Sequence, residues 1–278
     1  MLQIQTIMDR AEQGVTSPFI CMAENGLEYF VKGLHATRAS QINEWIGGNM
    51  AQALGLPVAP FELLEVGEEL YEELPAKMKE IGKGICFGSL AQKGCALLEP
   101  ADIPRIDTVM QRQIAAFDWF VRNEDRTIGN PNLLYRNCNN SLIVIDHNCA
   151  FDTGFNPNNF LQNHIFSSAF RQILEDWVLR EEMELWLKSA LPAYRKACDN
   201  LPPEWAWANE ERDLPAAPIT AAAPTKPSAA LITEHFGASH EPICHAFCRH
   251  TVYALCPNAR ICQHRHHHNP SQKRLLRL

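Results

Sequence analysis

The sequence predicts an α+β fold in which a β-rich amino-terminal lobe is followed by a mostly helical carboxyl-terminal lobe. Short segments with alternating apolar residues, separated by turn residues, dominate the first hundred positions. Beyond residue 107, apolar residues recur mainly with helical spacing. We therefore place the amino-terminal lobe at about residues 1–95 and the carboxyl-terminal lobe at about 96–212.

The first lobe reads as strands around one helix. Residues 2–7 alternate weakly, as an edge strand does, and residues 19–23 and 28–32 form a predicted hairpin. Ser40 is the expected N-cap of a helix that ends at Gly55. The apolar face of this helix is expected to consist of Ile42, Trp45, Ile46, Met50, Ala53 and Leu54.

Further elements follow in the same alternation. Residues 58–66 are predicted to be a strand, residues 67–81 an acidic helix and residues 84–89 a short strand. Asp107 is the expected N-cap of the next helix, whose stripe is Met110, Ile114, Phe117 and Val121.

The second lobe continues with a hairpin and then helices. Residues 132–135 and 142–145 are the two predicted strands of the hairpin. Residues 176–198 are predicted to form one long helix that bends at Pro192.

Composition indicates a soluble cytoplasmic protein. The chain has 278 residues, of which 46% are apolar, enough to bury a large core. No apolar run approaches the roughly 18 residues of a membrane span, and residues 1–10 are too polar for a secretory leader. The six cysteines from Cys21 to Cys198 show no pairing pattern, so we expect them to be reduced and mostly buried.

The last part of the chain differs from the rest in charge. Residues 1–213 carry 18 Lys and Arg against 30 Asp and Glu, whereas residues 214–278 carry seven against two. Residues 213–230 are rich in Ala and Pro and are predicted to be a linker. We expect residues 231–278 to be a disordered basic tail.

This tail holds eight of the eleven histidines and four of the ten cysteines. Two interpretations remain open, a flexible basic tail and a zinc site, although the ligand spacing is poor for structural zinc. The tail has few aromatic residues among its basic ones, so we do not expect it to bind nucleic acid. The candidate zinc ligands are Cys244, His245, Cys248, His250, Cys256, Cys262 and His264.

Three side chains in the second lobe form a pattern with chemical meaning. Asp125 and Asn130 lie on a polar loop after the Asp107 helix, and Asp146 ends the apolar run of residues 142–145. Phosphoryl transfer to a hydroxyl needs a carboxylate at the attacking oxygen, and an amide and a second carboxylate to hold Mg²⁺. Taken singly, Asp125 could cap a turn and Asn130 could fix the loop. Together the three predict ATP-dependent phosphoryl transfer with Mg²⁺.

Several segments carry a resemblance to a known family. They are FVK in the second hairpin strand, NEW in the first helix, LGLPV, FDWFVRNEDRTIGNPNLL and LIVIDHNCAF. The pattern resembles the HipA-like kinase family, relatives of the HipA toxin kinases and, more distantly, of phosphatidylinositol 3- and 4-kinases. The resemblance spans about residues 13–200 and is strongest over 117–151. It implies a two-lobed protein-kinase-like fold for residues 1–212.

The resemblance also implies roles for single residues. Asp125 matches the catalytic-loop aspartate, and Asn130 matches the metal-binding amide, with Asn132 as an alternative. Asp146 matches the metal-binding aspartate of the DFG-type motif, although His147-Asn148 follows it here. The implied ATP-binding residues are Lys32, Glu44 and, in a phosphate-covering loop, Gly14, Thr16 and Ser17.

The acceptor is open at this stage. The resemblance implies a Ser/Thr protein kinase, with a lipid or small-molecule kinase as one alternative. A pseudokinase that only binds nucleotide and a partner is another. In addition, we expect Asp118, on the polar side of its helix, to bind the loop backbone around Asn123, and Arg126 to pair with an acidic neighbour or to contact phosphate.

Overall fold

The computed structural model describes residues 1–11, 17–209 and 212–216. The predictions made for Gly14, for Thr16 and for most of the linker and all of the tail, including the zinc alternative, lie outside the described residues.

The amino-terminal part is a closed five-stranded barrel in the order β1-β2-β3-β5-β4. Successive strands pair antiparallel, except that β1 runs parallel to β4 and closes the barrel. The prediction of an edge strand over residues 2–7 is therefore wrong, because β1 is hydrogen-bonded on both sides. The strands are Leu2–Arg10, Phe19–Ala23, Glu28–Lys32, Phe61–Val66 and Gly84–Leu90, numbered β1 to β5.

The barrel encloses its own small core. Alternate residues of β2, namely Phe19, Cys21 and Ala23, are buried, and Tyr29 and Val31 of β3 join them. Because side chains alternate along a strand, Lys32 points away from this core when Val31 points into it. The barrel thus presents Lys32 to the elements packed outside it.

Helix α1, Arg38–Ala53, lies between the barrel and the helical part. The Oγ1 of Thr37 accepts a hydrogen bond from the Ser40 amide, so Thr37 and not Ser40 is the N-cap. On the other side, the Trp45 indole donates to the Ala197 carbonyl over 3.1 Å. Ala53 is exposed, contrary to expectation, since the helix ends there.

The acidic helix predicted over residues 67–81 is shorter than expected. Helix α2 covers only Glu68–Glu73, and a 3₁₀ turn covers Lys79–Ile81. Pro75 lies between them and cannot donate a helical hydrogen bond, which explains the break. The strand predicted over residues 58–66 also starts later, at Phe61.

The first α-helix of the carboxyl-terminal part is α3, Thr108–Phe120, which is capped by Asp107 as predicted. A three-stranded sheet shares its hydrophobic core with α3 and consists of β6, Ala96–Leu97, β7, Leu133–Arg136, and β8, Ser141–Val144. The predicted hairpin is confirmed as β7 and β8, which pair antiparallel.

Four further helices complete this part. The single helix expected over residues 176–198 is two helices, because Pro192 occupies the first turn of the second one and starts it anew. The helices are Pro157–Asn163, Ser167–Glu175, Trp177–Lys188 and Leu191–Asp199, numbered α4 to α7.

Two global features of the described residues follow. None of their helices is both long enough and apolar enough to cross a membrane. The six cysteines found among them are unpaired as expected, but only Cys21, Cys86 and Cys198 are buried, and Cys138 and Cys149 are exposed.

Candidate active site

Lys32 is the centre of one half of the site. Its Nζ lies 2.5 Å from Oε1 of Glu44 and 2.7 Å from Oδ1 of Asp146. The lysine is 6% exposed, because α1 and the segment after β8 cover the end of β3. Burial alone would lower the pKa of Lys32, but the charges of Glu44 and Asp146 outweigh it and raise this pKa. The lysine is therefore held in its charged form.

Glu44 connects α1 to the Asp146 segment. It is 3% exposed and uses its second oxygen, Oε2, to accept a hydrogen bond from the His147 amide over 2.8 Å. Burial works against its ionisation, yet the Lys32 ammonium and the hydrogen bond from His147 lower its pKa. On sequence grounds Glu44 alone would be a solvated helix residue, whereas it is a buried carboxylate.

Asp146 occupies a strained position at the lip of β8. Its φ is 61°, in the left-handed region that non-glycine residues rarely adopt. Burial, and next the Glu44 charge, raise the pKa of Asp146, while Lys32 opposes the shift. A carboxylate that follows an apolar run is costly to bury unless it is paired, and Lys32 pairs with Asp146 over 2.7 Å.

Asp125 is the centre of the other half of the site. Its Oδ2 accepts hydrogen bonds from the side-chain amides of Asn130 and Asn132, each over 2.9 Å. Both amides donate through Nδ2, which leaves their Oδ1 atoms outside this contact. The structure thus brings both candidate asparagines to the same carboxylate.

Asn130 and Asn132 differ in their surroundings. Asn130 is exposed, whereas Asn132 is 6% exposed and has a φ of 47°. The Asn132 carbonyl accepts a hydrogen bond from the Ile145 amide over 3.2 Å. Because Ile145 directly precedes Asp146, Asn132 joins the Asp125 loop to the strand that ends in Asp146.

Arg126 and Asp118 form a buried ion pair behind the loop. Both are 0% exposed, and Nε of Arg126 lies 2.6 Å from Oδ2 of Asp118. Arg126 therefore pairs with an acidic neighbour, as one of the two alternatives held. Asp118 is not on a polar helix face, and its carboxylate binds the Asn123 side chain over 3.1 Å rather than the backbone.

His164 is a further member of this cluster, and no motif in the sequence points to it. Its Nδ1 accepts a hydrogen bond from the Phe166 amide, so Nε2 carries the proton that reaches Asp118 over 3.1 Å. Burial is the main cause that lowers the pKa of His164. Its partner Asp118 lies 46 residues earlier, so no local pattern could show the contact.

The donor set suits a hard cation. The carboxylate of Asp146 and the amide oxygens of Asn130 and Asn132 are the oxygen ligands that Mg²⁺ accepts. Within the described residues, no group of three or more His, Cys, Asp and Glu side chains could hold a metal ion. A magnesium ion fits here only with further ligands from phosphates and water, as is usual for Mg²⁺.

The expected phosphate-covering loop is described only at its end. Ser17 has a φ of 38°, and its carbonyl accepts a hydrogen bond from Nε of Arg10 over 3.1 Å. It precedes β2, on the barrel that also carries Lys32.

The structure thus brings a buried lysine to a glutamate and an aspartate, beside a loop with a second aspartate and two asparagines, which is the set of groups expected of a kinase. A family model described as HipA-like kinase matches residues 4–228. The chain belongs to the HipA-like kinase family.

Searches for similar proteins give two further findings. Among solved structures, the Golgi casein kinase matches at 13% identity and a TM-score of 0.45, covering 85% of this chain and 73% of that chain. A crystal structure of the Golgi casein kinase with Mn/ADP bound matches at 12% identity and a TM-score of 0.45, with the same coverage of 85% and 73%. The search of curated proteins found no match.

Proposed function

We propose that this protein is an ATP-dependent Ser/Thr protein kinase that transfers the γ-phosphoryl group of Mg-ATP to an acceptor hydroxyl. In this proposal the barrel and the helical part are the two lobes of a protein-kinase-like fold, and the nucleotide binds between them. Membership of the HipA-like kinase family supports the reaction class. The buried network of charged side chains supports the position of the site.

Lys32 and Glu44 have the nucleotide-binding role. The Lys32 ammonium neutralises phosphate charge, and Glu44 holds it in place through the 2.5 Å contact. Because Glu44 is buried and stays ionised, it does not compete for the proton of Lys32. The predicted loop residues Gly14, Thr16 and Ser17 are proposed to cover the phosphates.

Asp146 and Asn130, with Asn132 as the alternative, are proposed to hold the metal. A bound Mg²⁺ neutralises the charge that builds up on the transferring phosphoryl group. Lys32, 2.7 Å from Asp146, opposes the rise in pKa that burial and the Glu44 charge cause, and a bound Mg²⁺ would favour the ionised carboxylate further. Asn130 and Asn132 both bind Asp125 through Nδ2, so their Oδ1 atoms are not used in this contact. The proposed metal would bind one of these oxygens.

Asp125 is proposed to orient the acceptor hydroxyl and to take its proton. The amides of Asn130 and Asn132 hold its Oδ2, which fixes the carboxylate before the acceptor binds. Positioning of this kind accounts for much of the catalysis of phosphoryl transfer, since the protein does little covalent chemistry.

One observation carries the proposal, namely the contact of Lys32 with both Glu44 and Asp146. These three residues come from three different elements, and the pairing of Lys32 with Asp146 spans 114 residues. A protein kinase requires both the Lys–Glu pair and the metal-binding aspartate to be in place. A barrel that needed only to fold would not need to bury three charged groups together.

Two alternatives have the same site geometry. A lipid or small-molecule kinase would use the same residues and differ only in the acceptor. A pseudokinase would bind nucleotide without transfer, but it has no need for Asp125 to be held by two amides. The cytoplasmic location, the absence of a nucleic-acid partner and the nature of the acceptor stay predictions from the sequence.

A thermal-shift series combined with ADP detection tests the proposal. We expect ATP to raise the melting temperature only with Mg²⁺, and ADP to form in the same samples. Asp146→Ala should abolish both effects, because it removes the proposed metal ligand. Glu62→Ala, which removes an exposed carboxylate on the barrel surface, is the matched control and should behave as the wild type. A melting temperature that does not change with ATP and Mg²⁺ would contradict the proposal. Stabilisation by ATP without formation of ADP would favour the pseudokinase.

A further inference from the structure

The buried ion pair of Arg126 with Asp118 has no part in the proposed binding of nucleotide, metal or acceptor. Asp118 lies on α3, within the main hydrophobic core, and no part of either side chain is exposed. A buried ion pair of this kind is a weak contributor to stability, because desolvation offsets most of the attraction.

Asp118 is the fixed end of the pair. Its carboxylate receives hydrogen bonds from Nε of Arg126 over 2.6 Å, from Asn123 over 3.1 Å and from His164 over 3.1 Å. The Asn123 amide also donates to the Asp118 carbonyl over 2.8 Å. The loop of residues 123–132, here called the catalytic loop, is thus attached to α3 through Asp118, which binds both Asn123 and Arg126.

Arg126 extends from this anchor to the backbone on both sides of the site. Its Nη1 donates to the Pro131 carbonyl over 3.4 Å, to the Asn132 carbonyl at a shorter distance, and to the Ile145 carbonyl over 3.3 Å. Two of these carbonyls belong to the catalytic loop, and the third belongs to the chain that leads into Asp146.

Each backbone carbonyl that the guanidinium contacts belongs to, or lies next to, a residue of the proposed chemistry. Arg126 directly follows Asp125, Asn132 itself binds Asp125, and Ile145 directly precedes Asp146. A shift of the guanidinium would therefore change the distance between Asp125 and Asp146. Side chains that act on opposite sides of one phosphoryl group must keep this spacing, because a displacement of about 1 Å can reduce a rate by about 10²-fold.

We propose that Asp118 and Arg126 are positioning residues whose ion pair sets the spacing between Asp125 and Asp146. This inference rests on the proposed kinase function. Neither residue touches the substrate. An arginine is required because its planar fork carries five donors in fixed directions, whereas a lysine ammonium cannot reach Asp118 and three carbonyls together.

Steady-state kinetics of Arg126→Lys test this inference. We expect kcat to fall at least tenfold, while the KM for ATP stays within about threefold of the wild-type value. Lys32 and Asp146 are intact in this variant, so nucleotide binding is retained and the loss is confined to the chemical step. Asp118→Asn should give the same split between kcat and KM, and the double variant should lose little more than either single one, since both act through one contact.

Arg38→Lys is the matched control. Arg38 is also buried, and its guanidinium also donates to backbone carbonyls, those of Ile85 and Trp207, but away from both aspartates. This variant should lower the melting temperature without changing kcat. Should Asp118→Asn fail to fold, Arg126→Lys with this control still decides the matter. A kcat for Arg126→Lys within twofold of wild type, or an equal loss in Arg38→Lys, would overturn the inference. A wild-type protein without kinase activity would instead refute the proposed function on which it rests.

Discussion

Glu44 and His147 are joined by a hydrogen bond of 2.8 Å, which runs from the His147 amide to Oε2 of the buried glutamate. The other oxygen of Glu44 contacts Lys32, so one carboxylate connects the barrel, α1 and the Asp146 segment. Helix α1 and Asp146 therefore cannot separate without leaving buried groups unpaired, which costs several kcal/mol. The Lys32–Glu44 pair and Asp146, which the proposed kinase site needs together, are therefore held in one arrangement of the chain.

Gly47 allows this close approach and gives the first prediction. A Cβ at Gly47 would lie 2.8 Å from Cβ of His147, so Gly47→Ala should push α1 away from the Asp146 segment. We expect kcat to fall at least about tenfold, although alanine favours the helix by about 1 kcal/mol. Gly48→Ala is the matched control, because its Cβ would meet Phe61 at the same 2.8 Å, away from Asp146. Equal loss of kcat in the two variants would argue against a specific role for the contact of α1 with His147.

Removal of the Lys32 charge should destabilise the fold. Lys32→Met leaves Glu44 and Asp146 without their cation, and breaking a buried pair costs about 3–5 kcal/mol. Urea denaturation monitored by tryptophan fluorescence measures this change. Lys83→Met, which removes a partly exposed ion pair with Glu68, should cost less than about 1 kcal/mol. A similar cost for the two variants would show that the Lys32 network does not stabilise the barrel.

The two candidate metal amides can be separated by substitution. Asn130→Ala should raise the Mg²⁺ concentration needed for half-maximal activity at least tenfold, because it removes a proposed ligand. Asn132→Gly keeps the left-handed backbone at φ 47° and removes only the side chain, so we expect a lower kcat from the loosened Asp125 with little change in the Mg²⁺ requirement. The reverse pattern in a metal titration would transfer the metal role to Asn132.

Acid should weaken the fold through the cluster of Asp118, Arg126 and His164. Because burial lowers the pKa of His164, the folded protein keeps this ring neutral, while the unfolded chain takes up a proton below about pH 6.5. Stability therefore falls as the pH drops below this value, by up to about 1.4 kcal/mol per pH unit for this one group.

Asp118 adds a second loss at lower pH. Burial opposes its ionisation, but Arg126 and His164 lower its pKa from 3.8 to about 2, so its contribution is present above about pH 4 and is lost towards pH 2. His164→Gln, which can still donate to Asp118, should flatten the decline between pH 6.5 and 5 in urea titrations. An unchanged slope in this variant would show that His164 does not titrate as inferred.

Local patterns predicted much of the fold. The Asp107 cap, the β2–β3 hairpin and the β7–β8 hairpin depend on residues close in sequence, and all were predicted correctly. Closure of the barrel was not, because the parallel contact of β1 with β4 joins segments about sixty residues apart. The cap at Thr37 was missed because Ser40 is an equally suitable residue type nearby.

In the candidate site, too, some residues could be predicted from the sequence and others could not. Asp125, Asn130 and Asp146 could be selected because residue type and spacing suggest their chemistry. The burial of Glu44 and the cluster of Asp118 with His164 could not, since partners 103 and 46 residues away decide both. The structure joins Asn130 to Asp125 directly and Asp146 to Lys32, and the contact of Ile145 with Asn132 links the two halves.

The most direct test of the account is a single-turnover measurement of γ-phosphoryl loss from radiolabelled Mg-ATP by the wild-type protein and Asp125→Asn. The account predicts that the variant binds Mg-ATP with an affinity within about threefold of wild type but transfers the phosphoryl group at least about 10²-fold more slowly, because only the proposed base is changed. Transfer by Asp125→Asn at the wild-type rate would contradict it.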